Sequence, residues 1–320
     1  MRTATGPPRS LGGSAAAAAF VRAVVAMLGV WQLVAMPGCA LFHRRGPSDE
    51  SIAAARELSR QGVAAMETGQ WQQAEDLLRK SLTTMPDDAS AHRAMAEALW
   101  HRGAREEAIA QIEEAVKHDL TNAALHVKAG EMSLAVGARD AAMTHAERAI
   151  RADSTLAEAW ALRGHCFQKM NKPDRALADL QHALEFEPNN AVVLMDVALM
   201  YRERGQSARC LTTLYNLLDT YPPGEESQQA LMLAGLTLMD LNRHKQASEV
   251  LALATQRGQP SADLLYYLAQ SYSAAGELEQ AAVTAQQALA LNAAHQPSRE
   301  LMSQLASRTG SDATDAPQRR

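Results

Sequence analysis

Small residues return along the chain every 34 positions. Counted from Ala55, units start at Ala55, Ala89, Ala123, Ala157 and Ala191. The eighth place holds Gly62, Ala96, Gly130, Gly164 and Ala198. At the twentieth stand Ala74, Ala108, Ala142, Ala176 and Cys210, and at the twenty-seventh Ser81, Ala115, Ala149, Ala183 and Leu217. The fifteenth place is Gly69, Gly103, Gly137, Asn171 and Gly205. Three extra residues enter the register around 224–226, and units then restart at Gln228 and Ala262. There the same places hold Gly235, Asn242, Ala247 and Ala254, then Ala269, Gly276, Ala281 and Ala288. Large apolar residues fill the slots between, such as Leu58, Leu78 and Leu82 in unit one and Leu194, Tyr201, Leu214 and Leu218 in unit five.

Each place has a physical reason. The pattern predicts two antiparallel helices per unit, in contact where the eighth and twentieth residues face each other. A larger side chain there would overpack the contact, at a cost of about 1–3 kcal/mol. Gly or Asn at the fifteenth place ends the first helix, because those residues enter the left-handed region at little cost. Pro86, Pro188 and Pro222 stop the second helix, lacking the donor that would continue it. Asp87-Asp88 and Asn189-Asn190 offer side-chain oxygens to cap the helix that follows. No unit can bury its apolar face alone, so neighbours stack into one core with polar ends.

Over residues 55–295 this pattern resembles the tetratricopeptide repeat family. The resemblance implies an all-α fold, an α-solenoid (superhelix) of about seven helix-turn-helix units, starting near 55, 89, 123, 157, 191, 228 and 262. A capping helix is expected over 296–308 and a disordered tail over 309–320. In that family the first helix of each repeat lines a concave groove through its second, fifth, ninth, twelfth and thirteenth residues. Transferred here, the groove residues are Arg93, Glu97, Trp100, His165, Lys169, Met195, Leu199, Arg202, Met232, Leu236, Met239 and Tyr266. Units one to four then mix charge with one large aromatic, Trp100, whereas units five and six present methionine and leucine. Methionine is flexible and polarizable, so that stretch suits an apolar helix or strand of varied sequence. The fifth and ninth residues depart from the Lys and Asn arrangement by which some members of the family clamp a C-terminal carboxylate.

The start of the chain reads as an address. Residues 1–22 carry Arg2, Arg9 and Arg22 and no acid, and residues 23–36 are apolar except Gln32. Such a run is short for a membrane span, at about 1.5 Å per residue against a hydrocarbon core of about 30 Å. A basic start, a short apolar run and small residues after it describe a secretory leader. It ends Met36-Pro37-Gly38-Cys39, which resembles the lipobox of bacterial lipoproteins. The resemblance implies a leader over 1–38, cleavage before Cys39 and acylation of that cysteine. An uncleaved signal anchor is the alternative. Ala40 does not resemble an inner-membrane retention signal, which favours the outer membrane and a periplasm-facing array. Residues 39–54 read as a flexible tether.

Composition narrows the function. Of 320 residues 47% are hydrophobic but only 4% aromatic, and Ala, Leu, Gln and Glu outweigh β-branched residues, a bias toward helix. A net charge of −5 gives no basic face for nucleic acid. Cys39, Cys166 and Cys210 are odd in number and far apart, unlike a disulfide framework or zinc site. The ten histidines are scattered, no two at i, i+4, so no metal is expected. Nucleotide-binding loops, a nucleophile elbow and a zinc-protease signature are missing, so no catalytic residue and no cofactor are expected. The expected function is a non-catalytic protein–protein interaction scaffold of the bacterial cell envelope. It would be a monomeric array binding a partner protein or peptide, in assembly of a pilus, secretion or cell-wall complex. The alternative is a substrate-holding accessory subunit of an envelope enzyme encoded separately.

Overall fold

The computed structural model describes residues 47–314, with side chains as far as residue 307. The leader, Cys39, the first part of the tether and residues 315–320 lie outside the described residues. All regular structure among the described residues is α-helical. Unit one pairs α1 (Asp49–Glu67) with α2 (Trp71–Thr84), and unit two pairs α3 (Ala89–His101) with α4 (Arg105–His118). Unit three is α5 (Ala123–Ala135) and α6 (Arg139–Ala152), and unit four α7 (Ala157–Lys169) and α8 (Pro173–Phe186). Unit five is α9 (Ala191–Glu203) and α10 (Ser207–Leu218), unit six α11 (Gln228–Asp240) and α12 (His244–Thr255). Unit seven is α13 (Ala262–Ala275) and α14 (Leu278–Leu291), followed by α15 (Gln296–Thr314). The fold is an α-solenoid of helix-turn-helix repeats.

The small places form the helix crossings. Ala74, Ala108, Ala142, Ala176, Cys210, Ala247 and Ala281, the whole twentieth set, are 0% exposed. A Cβ placed on Gly164 would lie 3.2 Å from the Ala176 carbonyl oxygen and 3.0 Å from Leu180 Cγ. On Gly62 it would lie 2.8 Å from Leu78 Cγ, so the missing side chain is what admits the facing leucine.

The turn between paired helices repeats too. Gly69, Gly103, Gly137, Asn171, Gly205, Asn242 and Gly276 all have positive φ, from 56° at Asn171 to 88° at Gly276. In unit two Gly103 N–H donates to the Trp100 carbonyl at 3.0 Å, and Ala104 N–H to that of Leu99 at 3.0 Å. This paired closure satisfies carbonyls that the helix end leaves open, and it needs a left-handed residue between them. The next helix is capped from the side chain. Asp88 accepts from the Ser90 and Ala91 amides and Asn190 from that of Val193, as the sequence predicts. Proline is not required to end the second helix. Where Leu120 and Ser154 stand in its place, α4 and α6 stop at the equivalent residue, and Asp153 accepts from the Thr155 amide at 2.8 Å.

A polar latch joins successive units. His92, His126 and Trp160, each fourth in its unit, reach the carbonyl of the thirty-second residue of the unit before. The distances are 2.9 Å to Pro86, 3.1 Å to Leu120 and 2.8 Å to Ser154. These bonds satisfy loop carbonyls that the stacked helix would otherwise cover.

Two boundaries differ from the sequence expectation. The stretch read as tether over 39–54 is helical from Asp49. Ser48 caps it, its Oγ accepting from the Ser51 amide at 3.2 Å, and Asp49 and Glu50 then sit in the first turn, where negative charge is favoured. The capping helix expected over 296–308 runs on to Thr314, through part of the stretch read as disordered. It seals unit seven with Leu301 and Leu305, which pack against Ala269, Ala281 and Ala285.

Candidate functional site on the first helices

The groove residues expected from the sequence all belong to first helices of units, and the structure sorts them into three settings. The charged ones form a network in units two and three. Arg93 Nη1 pairs with Glu97 at 2.9 Å, one helical turn away, and Lys128 Nζ lies 4.0 Å from Glu97 and 3.9 Å from Glu131. These four side chains line an open cleft of about 500 Å³, with Val127, Leu156 and Glu158 among its other walls. Burial by those walls raises the Glu131 carboxyl above its ordinary range, and Lys128 opposes the shift. Exposed pairs of this kind each contribute only about 0.2–1 kcal/mol to stability.

The next setting spans units four to six. His165 Nε2 meets Asp196 at 2.7 Å, beside exposed Lys169. Arg202 Nε reaches Asp240 at 3.5 Å, linking α9 to α11. With Leu199 and Glu203 that pair lines a second cleft of about 350 Å³. Leu199 is 37% and Val192 67% exposed on the same helix. Met195, Met232, Leu236 and Met239 are only half-buried. Met195 packs against the core of units four and five, and Met232 and Met239 against Leu231, Leu251, Leu264 and Leu268. The methionines therefore present one side to solvent and rest the other on the core.

Trp100 and Tyr266 form the third setting, because each is also a packing residue. Trp100 bridges the clusters of units one to three, and the Arg105 guanidinium sits 3.9 Å from its ring centroid. Tyr266 packs beside Leu301 and Leu305, with its ring centroid 5.8 Å from that of His295.

Sequence reasoning missed Lys128 and Asp196, both sixth in their units. A register was there to be read, since each pairs with the ninth residue of the preceding unit, 31 positions earlier (Glu97 and His165). Among the described residues no group of three His, Cys, Asp or Glu side chains is placed to hold a metal. Cys166 and Cys210 are buried thiols, and desolvation raises both, Cys166 to about 11, so neither is thiolate near neutral pH. No described helix is long and apolar enough to cross a membrane.

Two tetratricopeptide-repeat family models match the sequence, one over residues 65–129 and one over residues 157–190. No curated protein matches. Among solved structures, the C-terminal part of a TPR repeat-containing protein from Cytophaga hutchinsonii is 14% identical, with TM-score 0.60 over 76% of this chain and 98% of that one. PilW, described as a widely conserved type IV pilus biogenesis factor, is 17% identical, with TM-score 0.55 over 62% of this chain and 90% of that one. PilF of Pseudomonas aeruginosa is 17% identical, with TM-score 0.50 over 80% of this chain and 99% of that one. At such identities the likeness shows the fold alone. In fold, the chain is an α-solenoid of tetratricopeptide-type repeats, and proteins carrying that repeat are the ones it resembles.

Proposed function

We propose that the protein is a non-catalytic scaffold of the bacterial cell envelope, tethered through lipidated Cys39, whose first helices hold a segment of a partner protein. The supporting observation is the sequence of surfaces along one set of helices. A charged cleft at Arg93, Glu97, Lys128 and Glu131 is followed by partly open apolar side chains at Val192, Met195, Leu199, Met232 and Leu236. Apolar side chains left open on a repeat surface are what a partner's own apolar residues would cover, and nearby charges would set its register. The partner segment best matched has an apolar stripe at one end and mixed charge at the other. The leader and the fold shared with a type IV pilus biogenesis factor make assembly of an envelope machine the context of this reading.

The test uses the most exposed members, whose loss spares the core. Val192→Ser with Leu199→Ser is expected to weaken capture of the native partner at least tenfold while circular dichroism and thermal midpoint stay unchanged. Partner capture at full strength by a folded double variant overturns the assignment. Substituting Met195 and Met232 as well would confound the result, since these side chains also support the core. Separately, a parent chain carrying no metabolic lipid label, as the Cys39→Ser variant should, rejects the anchor.

A further inference from the structure

A chain of polar contacts crosses the joint between units two and three. His126, on α5, is 2% exposed, and His145, on α6, is 4% exposed. His126 Nε2 lies 3.1 Å from the Leu120 carbonyl oxygen. Its Nδ1 lies 3.2 Å from Nδ1 of His145, and His145 Nε2 lies 2.9 Å from Glu113 Oε1 on α4. Unit two thus supplies both outer acceptors and unit three both rings.

The protons can be counted from the partners. A carbonyl oxygen only accepts, so His126 Nε2 carries a hydrogen. A carboxylate only accepts, so His145 Nε2 carries one as well. The two facing Nδ1 atoms need one hydrogen between them. Three N–H protons over four ring nitrogens make one neutral imidazole and one imidazolium. Burial lowers His126 below the ordinary histidine range, with the bond to Leu120 opposing, which favours the neutral form there. Among the described residues the ionisable groups acting on His126 are His145 and Arg148 from α6 and Glu113 from α4.

We propose that units two and three are held by a protonation latch, closed when the His126–His145 pair carries one positive charge and opened when the pair gains or loses a proton. Gaining one sets two N–H groups nose to nose and adds a second buried cation near Arg148. Losing one sets two lone pairs together. On the acid side the direction follows from His126. The unfolded chain takes up its proton first, so on this side of the optimum the latch contribution is lost as pH falls below about 6.5. The joint runs between the charged residues of the cleft, Arg93 and Glu97 from unit two and Lys128 and Glu131 from unit three. Opening the latch therefore frees the cleft's width.

The test is made on the full-length chain. Nitrogen-edited NMR of the imidazole rings near pH 7, assigned with His126→Gln and His145→Gln variants, should show one ring protonated on both nitrogens and its neighbour on one. Two neutral rings overturn the proposal. Native-state hydrogen exchange supplies an independent readout should either variant fold poorly. Corrected for intrinsic exchange, protection of α5 and α6 should peak at intermediate pH and fall on acidification by up to about tenfold per pH unit relative to α14, the slope for one proton. The same pH dependence in α5, α6 and α14 overturns it as well.

Discussion

Gly235→Ala is expected to destabilise unit six in the parent chain and to stabilise it once Leu251 is gone. Gly235 lies inside α11 with an ordinary helical backbone, so helix propensity alone predicts a gain of about 1 kcal/mol from alanine. The structure opposes that gain. A Cβ at this position would lie 2.4 Å from Leu251 Cγ and 2.6 Å from its Cδ2, and Leu251 is fully buried on α12. Cγ is a branch point held by packing, so leucine cannot swing clear without moving the helix pair. Overpacking of this kind costs about 1–3 kcal/mol, which leaves a net loss of up to about 2 kcal/mol. Leu251→Ala alone should cost about 2–5 kcal/mol through the cavity it leaves. In that background the new methyl enters the vacated space, the overpacking disappears and the propensity gain of about 1 kcal/mol survives. The double variant should therefore be more stable than Leu251→Ala alone, with a coupling of about 1–3 kcal/mol. Urea denaturation of the four proteins measures this, together with hydrogen exchange of α11 and α12, because repeat arrays need not unfold in one step. Gly235→Ala raising stability in the parent chain, or the two substitutions adding, would refute the reasoning.

Other expectations follow from the turns, caps and crossings. Asn171 and Asn242 hold φ of 56° and 58°, so Asn171→Gly should be neutral or slightly stabilising in denaturant midpoint, and Asn171→Val should cost 1 kcal/mol or more, on the order expected for strained backbone. Removing the caps with Asp88→Ala or Asn190→Ala should cost about 1 kcal/mol each in the same assay. Ala108→Leu or Ala176→Leu should lose exchange protection in its own unit through overpacking of about 1–3 kcal/mol. The Glu226 carboxylate accepts from the Gly224 amide, its own amide and Arg257, which hold it down to about 2. Any stability it lends is present above the ordinary carboxylate range and is lost progressively as pH falls from about 4.5 to about 2, and an NMR titration midpoint near 4.5 would contradict this.

How much of this could be read from sequence depends on the kind of interaction. Places that admit only one size or one backbone conformation were legible. The zero exposure of Ala74 through Ala281 and the positive φ of Gly69 through Gly276 follow from residue type at fixed spacing. Features that join two different units were harder to see. Lys128 and Asp196 meet partners 31 residues away on another helix, so inspection of one helix face passes over them. His126 and His145 are 19 residues apart and meet between antiparallel helices, where a search for histidines at i, i+4 has no reach. Trp100 falls at a place that the family resemblance assigns to the groove, yet its ring packs against the core, and position alone does not separate those roles. The helix start at Asp49 was signalled by Ser48 followed by two acids, a cap that the repeat register, beginning at Ala55, does not contain.

The most direct measurement compares photo-crosslinking from two residues of similar exposure on the two helices of unit five. Leu199 on α9 is 37% exposed and Tyr215 on α10 is 40% exposed. With a benzophenone amino acid at either site, in cells producing the full-length chain, position 199 should give a discrete adduct with the partner and position 215 should not. Equal adducts from both sites, or an adduct from 215 alone, would show that the first helices are not the binding face.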